Sequence, residues 1–161
     1  MWRRSVLAQR PARLSVQPLL LLETAGGGYA LNLGGEAASL KAEGEENLSV
    51  YQAAQGDGVK SPARRHFCRL CGSALWLWDS RWPALIHPFA SAVDTELPIP
   101  PERTHLMVAS KARWVSMQAG PKDQVFDHYP QESIAAWHAR LGLQSYPSPF
   151  RLDRQIKLLV D

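Results

Sequence analysis

Cysteine is almost absent from this chain. Only Cys68 and Cys71 occur in 161 residues, too few for the disulfide framework of a small secreted scaffold. No apolar run approaches the ~20 residues of a membrane span, so no membrane association is expected. A surplus of one charge is missing too: 18 Lys and Arg stand against 15 Asp and Glu. Internal repeats are absent. At 45% hydrophobic and 20% charged residues, the composition excludes wholesale disorder and a coiled-coil rod. The length predicts one domain, at roughly 150 residues per domain.

The small positive charge sits at one end. Residues 1–22 carry Arg3, Arg4, Arg10 and Arg13 and no acid. From residue 24 onward, 14 bases meet 14 acids. A neutral body lacks the basic face that nucleic-acid binding needs, so no nucleic acid is expected. Residues 1–23 read as an off-pattern segment, either disordered or misassigned. Their Arg-rich, acid-free composition resembles a mitochondrial transit peptide, but Pro11 and Pro18 interrupt the amphipathic helix such a peptide needs.

From Thr24 the pattern is that of a mainly β protein. Tyr29–Leu33, Ser39–Lys41, Leu48–Tyr51, Ala74–Trp78, Leu85–Ile86, Ala90–Val93, His105–Ala109 and Arg113–Met117 are strand candidates. Gly26 to Gly28 predict a turn or a close backbone approach where side chains would not fit. A phosphate-cradling loop would need a helix after these glycines, and here a strand follows. Glu43, Glu45 and Glu46 predict a solvated turn, and Gln55–Gly58 a second turn. One helix is predicted over Gln131–Leu141. Ile134, Trp137, His138 and Leu141 share one face, Glu132 lies in the first turn, Arg140 in the last, and Gly142 caps the end.

The chemistry starts at Cys68-Arg-Leu-Cys71-Gly72. Two thiolates separated by two residues can grip one tetrahedral zinc, and Gly72 lets the backbone fold around it. Two other readings stay open. A redox dithiol would normally open a helix, whereas Ala74–Trp78 reads as a strand. Two inert packed cysteines are the third possibility. A zinc ion wants four ligands and the motif supplies two. His66 is close in sequence but reads as a neighbour; His87, His105, His128 and His138 are scattered.

The residues beyond the motif carry a resemblance. Phe67-Cys-Arg-Leu-Cys-Gly-Ser73 is followed by Ser91-Ala-Val-Asp94-Thr-Glu-Leu97-Pro98, by Pro101 through His105-Leu-Met, and by Lys111-Ala-Arg-Trp114. Phe126 to Tyr129 and the helix through Trp137 continue the order, and Gly26 to Leu33 precede it. Over residues 24–143 this set resembles the glutathione-dependent formaldehyde-activating enzyme family, shared with the centromere protein V domain. Residues 144–161 form a tail beyond it.

The resemblance implies twisted β-sheets of the zinc-binding type with one C-terminal α-helix. It implies two metal sites: a structural zinc held by an early C-x-C and by Cys68 and Cys71, and a catalytic zinc held by an early C-x-C-x-x-C. The implied activity is that of a carbon–sulfur lyase, in which an aldehyde such as formaldehyde adds to the thiol of glutathione or another small thiol. The implied compartment is a reducing cytoplasm. The oligomeric state is not implied.

The chain departs from the family pattern before Gly26, where residues 1–25 contain no cysteine. Only Cys68 and Cys71 carry over, as half of the structural site; no catalytic zinc ligand carries over. Two expectations follow. Either the chain is a degenerate member that serves as a non-catalytic β-rich binding module, or the reading frame changes near Thr24. A one-base shift of one codon choice for Val16-Gln-Pro-Leu19 reads Cys-Ser-Arg-Cys. An exposed patch of Trp76, Trp78 or Trp82 would favour the module.

Overall fold

The computed structural model describes residues 15–17, 28–54, 56, 58–94, 97, 99–143 and 156–158. The rest of the amino-terminal segment, Gly26 and Gly27, and most of the tail lie outside these residues. The strands in chain order are β1 (Ser15–Gln17), β2 (Ala30–Asn32), β3 (Gly35–Glu36), β4 (Leu40–Ala42), β5 (Leu48–Tyr51), β6 (Ala63–Cys68), β7 (Ala74–Asp79), β8 (Leu85–Pro88), β9 (Thr104–His105), β10 (Gln124–Val125) and β11 (Ile156–Leu158). Among the described residues there is one α-helix, α1 (Ile134–Arg140). None is long and apolar enough to cross a membrane.

The protein is mainly β, as the patterning predicts, and it folds as two units. The first is built on Gly34–Leu97. Its five-stranded sheet runs β3-β8-β7-β6-β5, and every neighbouring pair is antiparallel. Successive antiparallel connections give β5-β6-β7-β8, while β3 comes from far earlier in the chain to pair with β8, Gly35 opposite Ile86. Leu75, Trp76, Ile86, Phe89 and Cys68 are buried in this unit, and the adjacent Leu75 and Trp76 show that β7 is covered on both faces there. A separate parallel pair joins β11 to β4.

The second unit combines Arg10–Leu33 with Pro98–Leu152. Its four-stranded sheet has the order β10-β9-β1-β2. β1 pairs antiparallel with β2 and parallel with β9, and β9 pairs parallel with β10. Trp137 of α1 is fully buried, with Leu106, Val115 and Thr104 also in the interior of the unit.

Several local expectations are corrected. Ala90–Ala92 forms a 3-10 turn, not a strand. The Ala92 and Val93 amides turn back to Phe89 O at 2.9 Å and Ala90 O at 3.2 Å, which takes them out of any ladder. The strand expected over His105–Ala109 ends after His105. Met107 adopts a left-handed backbone (φ 60°) and leads into a 3-10 turn, Val108–Ser110. Arg113–Met117 is loop. The helix begins at Ile134, not Gln131, because Ser133 caps it: its Oγ accepts from the Ala136 amide at 3.1 Å. Glu132 therefore precedes the helix, while Gly142 closes it with φ 65° as expected.

The close approach predicted at the glycine run occurs at Gly28. Its φ is 79°, and a Cβ there would lie 2.5 Å from Val115 Cγ2 and 2.9 Å from Trp114 Cη2. Gly28→Ala is expected to destabilise the second unit by about 1–2 kcal/mol through backbone strain alone. A thermal midpoint equal to that of the parent would refute this.

Candidate functional site

The two cysteines sit where β6 turns into β7. Cys68 is the last residue of β6, and its amide donates to Ser73 O at 2.9 Å. The Gly72 amide returns to Cys68 O at 2.8 Å, with Gly72 at φ 72°. Only glycine takes that left-handed backbone without strain, so the glycine after the second cysteine is what closes the turn. Arg69 ties the turn to the 3-10 segment Glu45–Asn47: its amide donates to Asn47 O at 2.9 Å and its Nε to Glu46 O at 2.8 Å. Glu43, Glu45 and Glu46 are solvated there, as predicted.

Cys68 is buried and Cys71 exposed, and no disulfide joins them. Cys71 Sγ lies 3.1 Å from Ser73 Oγ. His66 stacks flat on Trp76, with ring centroids 4.6 Å apart, and burial pushes its pKa down. A bulge between His66 and Phe67 breaks the alternation just before Cys68, so His66 and Cys68 are not simple same-face neighbours. Among the described residues no three His, Cys, Asp or Glu side chains converge on a common point. The donor set in view is two thiols, which does not fit a complete tetrahedral zinc site.

The tryptophans near this turn do not form a common exposed patch. Trp76 is buried at 4% exposure. Trp78 is half-buried, donates to Pro83 O at 3.2 Å and carries Arg64 over its ring. Trp82 is exposed beneath Arg81.

The second unit holds a cavity of about 420 Å³ lined by Tyr29, Leu31, Arg103, His105, Lys111 and Met117, among others. Short-strand geometry explains part of the lining. Residues two apart on a strand face the same side, so Arg103, just before β9, and His105, at its end, come together. That period-two pairing is the signal sequence reading could have used for Arg103. Asp123 collects both. It accepts from the Arg103 amide at 2.9 Å, Arg103 Nε at 3.0 Å, the Gly120 amide at 2.8 Å and His105 Nε2 at 3.2 Å. Burial opposes the charge on Asp123, but the two amides, His105 and the Arg103 guanidinium outweigh it and hold the carboxyl at about 2. Of its partners only the Gly120 amide is local; the side chains of Arg103 and His105 lie 20 and 18 residues upstream, beyond any local pattern.

Lys111 donates its Nζ to Val115 O at 2.6 Å and Ala112 O at 3.3 Å. A second buried carboxylate, Glu102, supports α1. It accepts from Trp137 Nε1 at 2.7 Å, Gln124 Nε2 at 3.2 Å and Arg140 Nη1 at 3.0 Å.

No family model matches the chain. Among curated proteins, it is 57% identical over 119 residues to a protein of Halomonas elongata whose name places it among the glutathione-dependent formaldehyde-activating enzymes. The match covers 74% of this chain and 75% of that protein.

Proposed function

Because this chain belongs to the glutathione-dependent formaldehyde-activating enzyme family, we propose that its chemistry is the making or breaking of a carbon–sulfur bond between glutathione and an aldehyde such as formaldehyde. The observation that carries this reading is the 57% identity over three-quarters of both chains. The order of motifs from Gly28 to Trp137 supports it. Cys68 and Cys71 are half of a structural zinc site in this proposal. The catalytic zinc has no cysteine ligand in the chain as written, since cysteine occurs nowhere else in it.

Two thiols alone supply little of the folding energy that a four-ligand zinc site supplies. Zinc measured on the purified chain should fall well below one equivalent per monomer. Chelation should leave the thermal midpoint unchanged, and Cys71→Ser should shift stability by no more than ~0.5 kcal/mol. Exchange of ¹³C-formaldehyde with its glutathione adduct, followed by NMR, tests the reaction itself. Any acceleration by the chain should survive chelation and gain nothing from added zinc. One tightly held zinc per monomer with zinc-dependent acceleration would overturn the proposal of missing ligands. No acceleration with or without zinc would sink the carbon–sulfur reading for this chain and leave the non-catalytic binding module.

A further inference from the structure

The turn between β6 and β7 carries two soft donors and no others. The chain has two cysteines and five histidines, and all of them lie among the described residues. Among those residues no further Cys, His, Asp or Glu side chain joins Cys68 and Cys71. His66, the nearest histidine in sequence, is stacked on Trp76 with ring centroids 4.6 Å apart. A zinc ion prefers four ligands and is poorly served by such a pair. The question is which ion two thiols do satisfy.

The turn is well suited to present both at once. The Gly72 amide donates to Cys68 O at 2.8 Å, and the Cys68 amide to Ser73 O at 2.9 Å. Cys68 and Cys71 are therefore the first and fourth residues of one tight turn, which brings their Cα atoms within about 7 Å. Arg69 braces that turn from outside. Its amide donates to Asn47 O at 2.9 Å and its Nε to Glu46 O at 2.8 Å. A braced turn loses little freedom when its side chains close on a ligand. No disulfide joins the two sulfurs. Cys71 is exposed, whereas Cys68 is only 3% exposed.

We propose that Cys68 and Cys71 of a single chain hold one Cu(I) ion as a two-coordinate dithiolate. Soft thiolates select Cu(I), and two of them satisfy it. The absent half of the zinc site is what leaves the pair to a softer ion. Exposed Cys71 meets the incoming ion first, and buried Cys68 completes the pair from the protein side. Each thiol gives its proton to solvent as its Cu–S bond forms, so two protons leave for each ion bound. Copper stays in the +1 state, and no oxidant or reductant is consumed. The site uses neither the thiol nor the aldehyde of the carbon–sulfur reading and does not depend on it.

Anaerobic titration of the full chain against the Cu(I) complex of bicinchoninate tests this, because the colour of that complex fades as the protein takes the ion. The parent should take one Cu(I) per chain and remain a monomer on gel filtration. Excess zinc should not displace the copper. Cys71→Ser should weaken uptake at least a hundredfold, and the exposed position of Cys71 leaves the fold intact. X-ray absorption at the copper edge of the loaded parent should show two sulfur neighbours and no nitrogen, a reading that needs no variant. Failure to take copper from bicinchoninate would overturn the proposal, as would equal uptake by the parent and Cys71→Ser. Displacement by zinc, a nitrogen or third sulfur neighbour, or half an equivalent carried by a dimer would overturn it too.

Discussion

Replacing Glu102 with alanine should lower the free energy of unfolding by ~2–3 kcal/mol, the scale on which leaving a buried donor unsatisfied acts. Glu102 is 7% exposed and stands where three segments meet. Its Oε1 accepts from Trp137 Nε1 of α1 and from Gln124 Nε2 of β10, and both its oxygens accept from Arg140. Trp137 is 0% exposed, so alanine would leave a buried indole N–H with no acceptor. Arg140 suffers less, because it is 40% exposed and also pairs with Glu132 at 2.8 Å. The bond from Arg140 is the main cause that lowers the Glu102 pKa, with burial opposing it. Its contribution is thus fully present above the ordinary carboxylate range and fades as pH falls through the lowered value. Glu102→Gln keeps an acceptor for Trp137 but loses the charge and one of the two oxygens that accept from Arg140, so it should cost less than alanine. Urea unfolding followed by tryptophan fluorescence separates the two. Equal losses for Gln and Ala would mean that the indole bond contributes nothing.

What the sequence made legible follows the range of the interactions. β5 and β7 are apolar runs bounded by turn residues, which are local signals, whereas β6, with Arg64, Arg65 and His66 in its middle, does not read as a strand and is held by its antiparallel partners on both sides. The helix was legible from the spacing of Ile134, Trp137 and Leu141, although its start was misplaced by three residues because Ser133 was not read as the cap. The region from His105 to Met117 was misread for a physical reason. The amides of Met107, Val108 and Ala109 bond to carbonyls of His128, Phe126 and Asp127, so its conformation is set about 20 residues away. An alternating run of apolar residues gives no hint of such partners. The candidate site divides the same way. Cys68, Cys71 and Gly72 act within one turn and could be read directly. Asp123 closes a local turn with Gly120, but the side chains that it and Glu102 collect come from 18 to 38 residues along the chain, where no local signal points.

The other large effect should come from Asp123→Asn, and its size should depend on pH. The folded Asp123 carboxyl sits at about 2, below its ordinary value of 3.8. A lowered folded value means that the folded state favours the ionised form. The stabilisation is complete above about pH 4 and is lost as pH falls toward 2. At ~1.4 kcal/mol per unit, the difference is worth about 2.5 kcal/mol. The carboxylate side chain is only 6% exposed, so solvent screening takes little from this figure. Asn has nearly the same shape but no charge, and its NH₂ would face donors from Gly120, Arg103 and His105. The variant should therefore be less stable than the parent by ~2–3 kcal/mol at pH 7, and by much less near pH 2, where the parent carboxyl is itself protonating. Glu102 and Asp79 are lowered in the same direction, so both proteins still weaken in acid; the difference between them isolates Asp123. Denaturant midpoints from pH 7 down to pH 2 give the comparison. A gap that stays constant over the series would show that Asp123 holds Arg103 and His105 by shape alone. A gap that closes in acid would show that its charge holds the Arg103 guanidinium and the His105 ring in place.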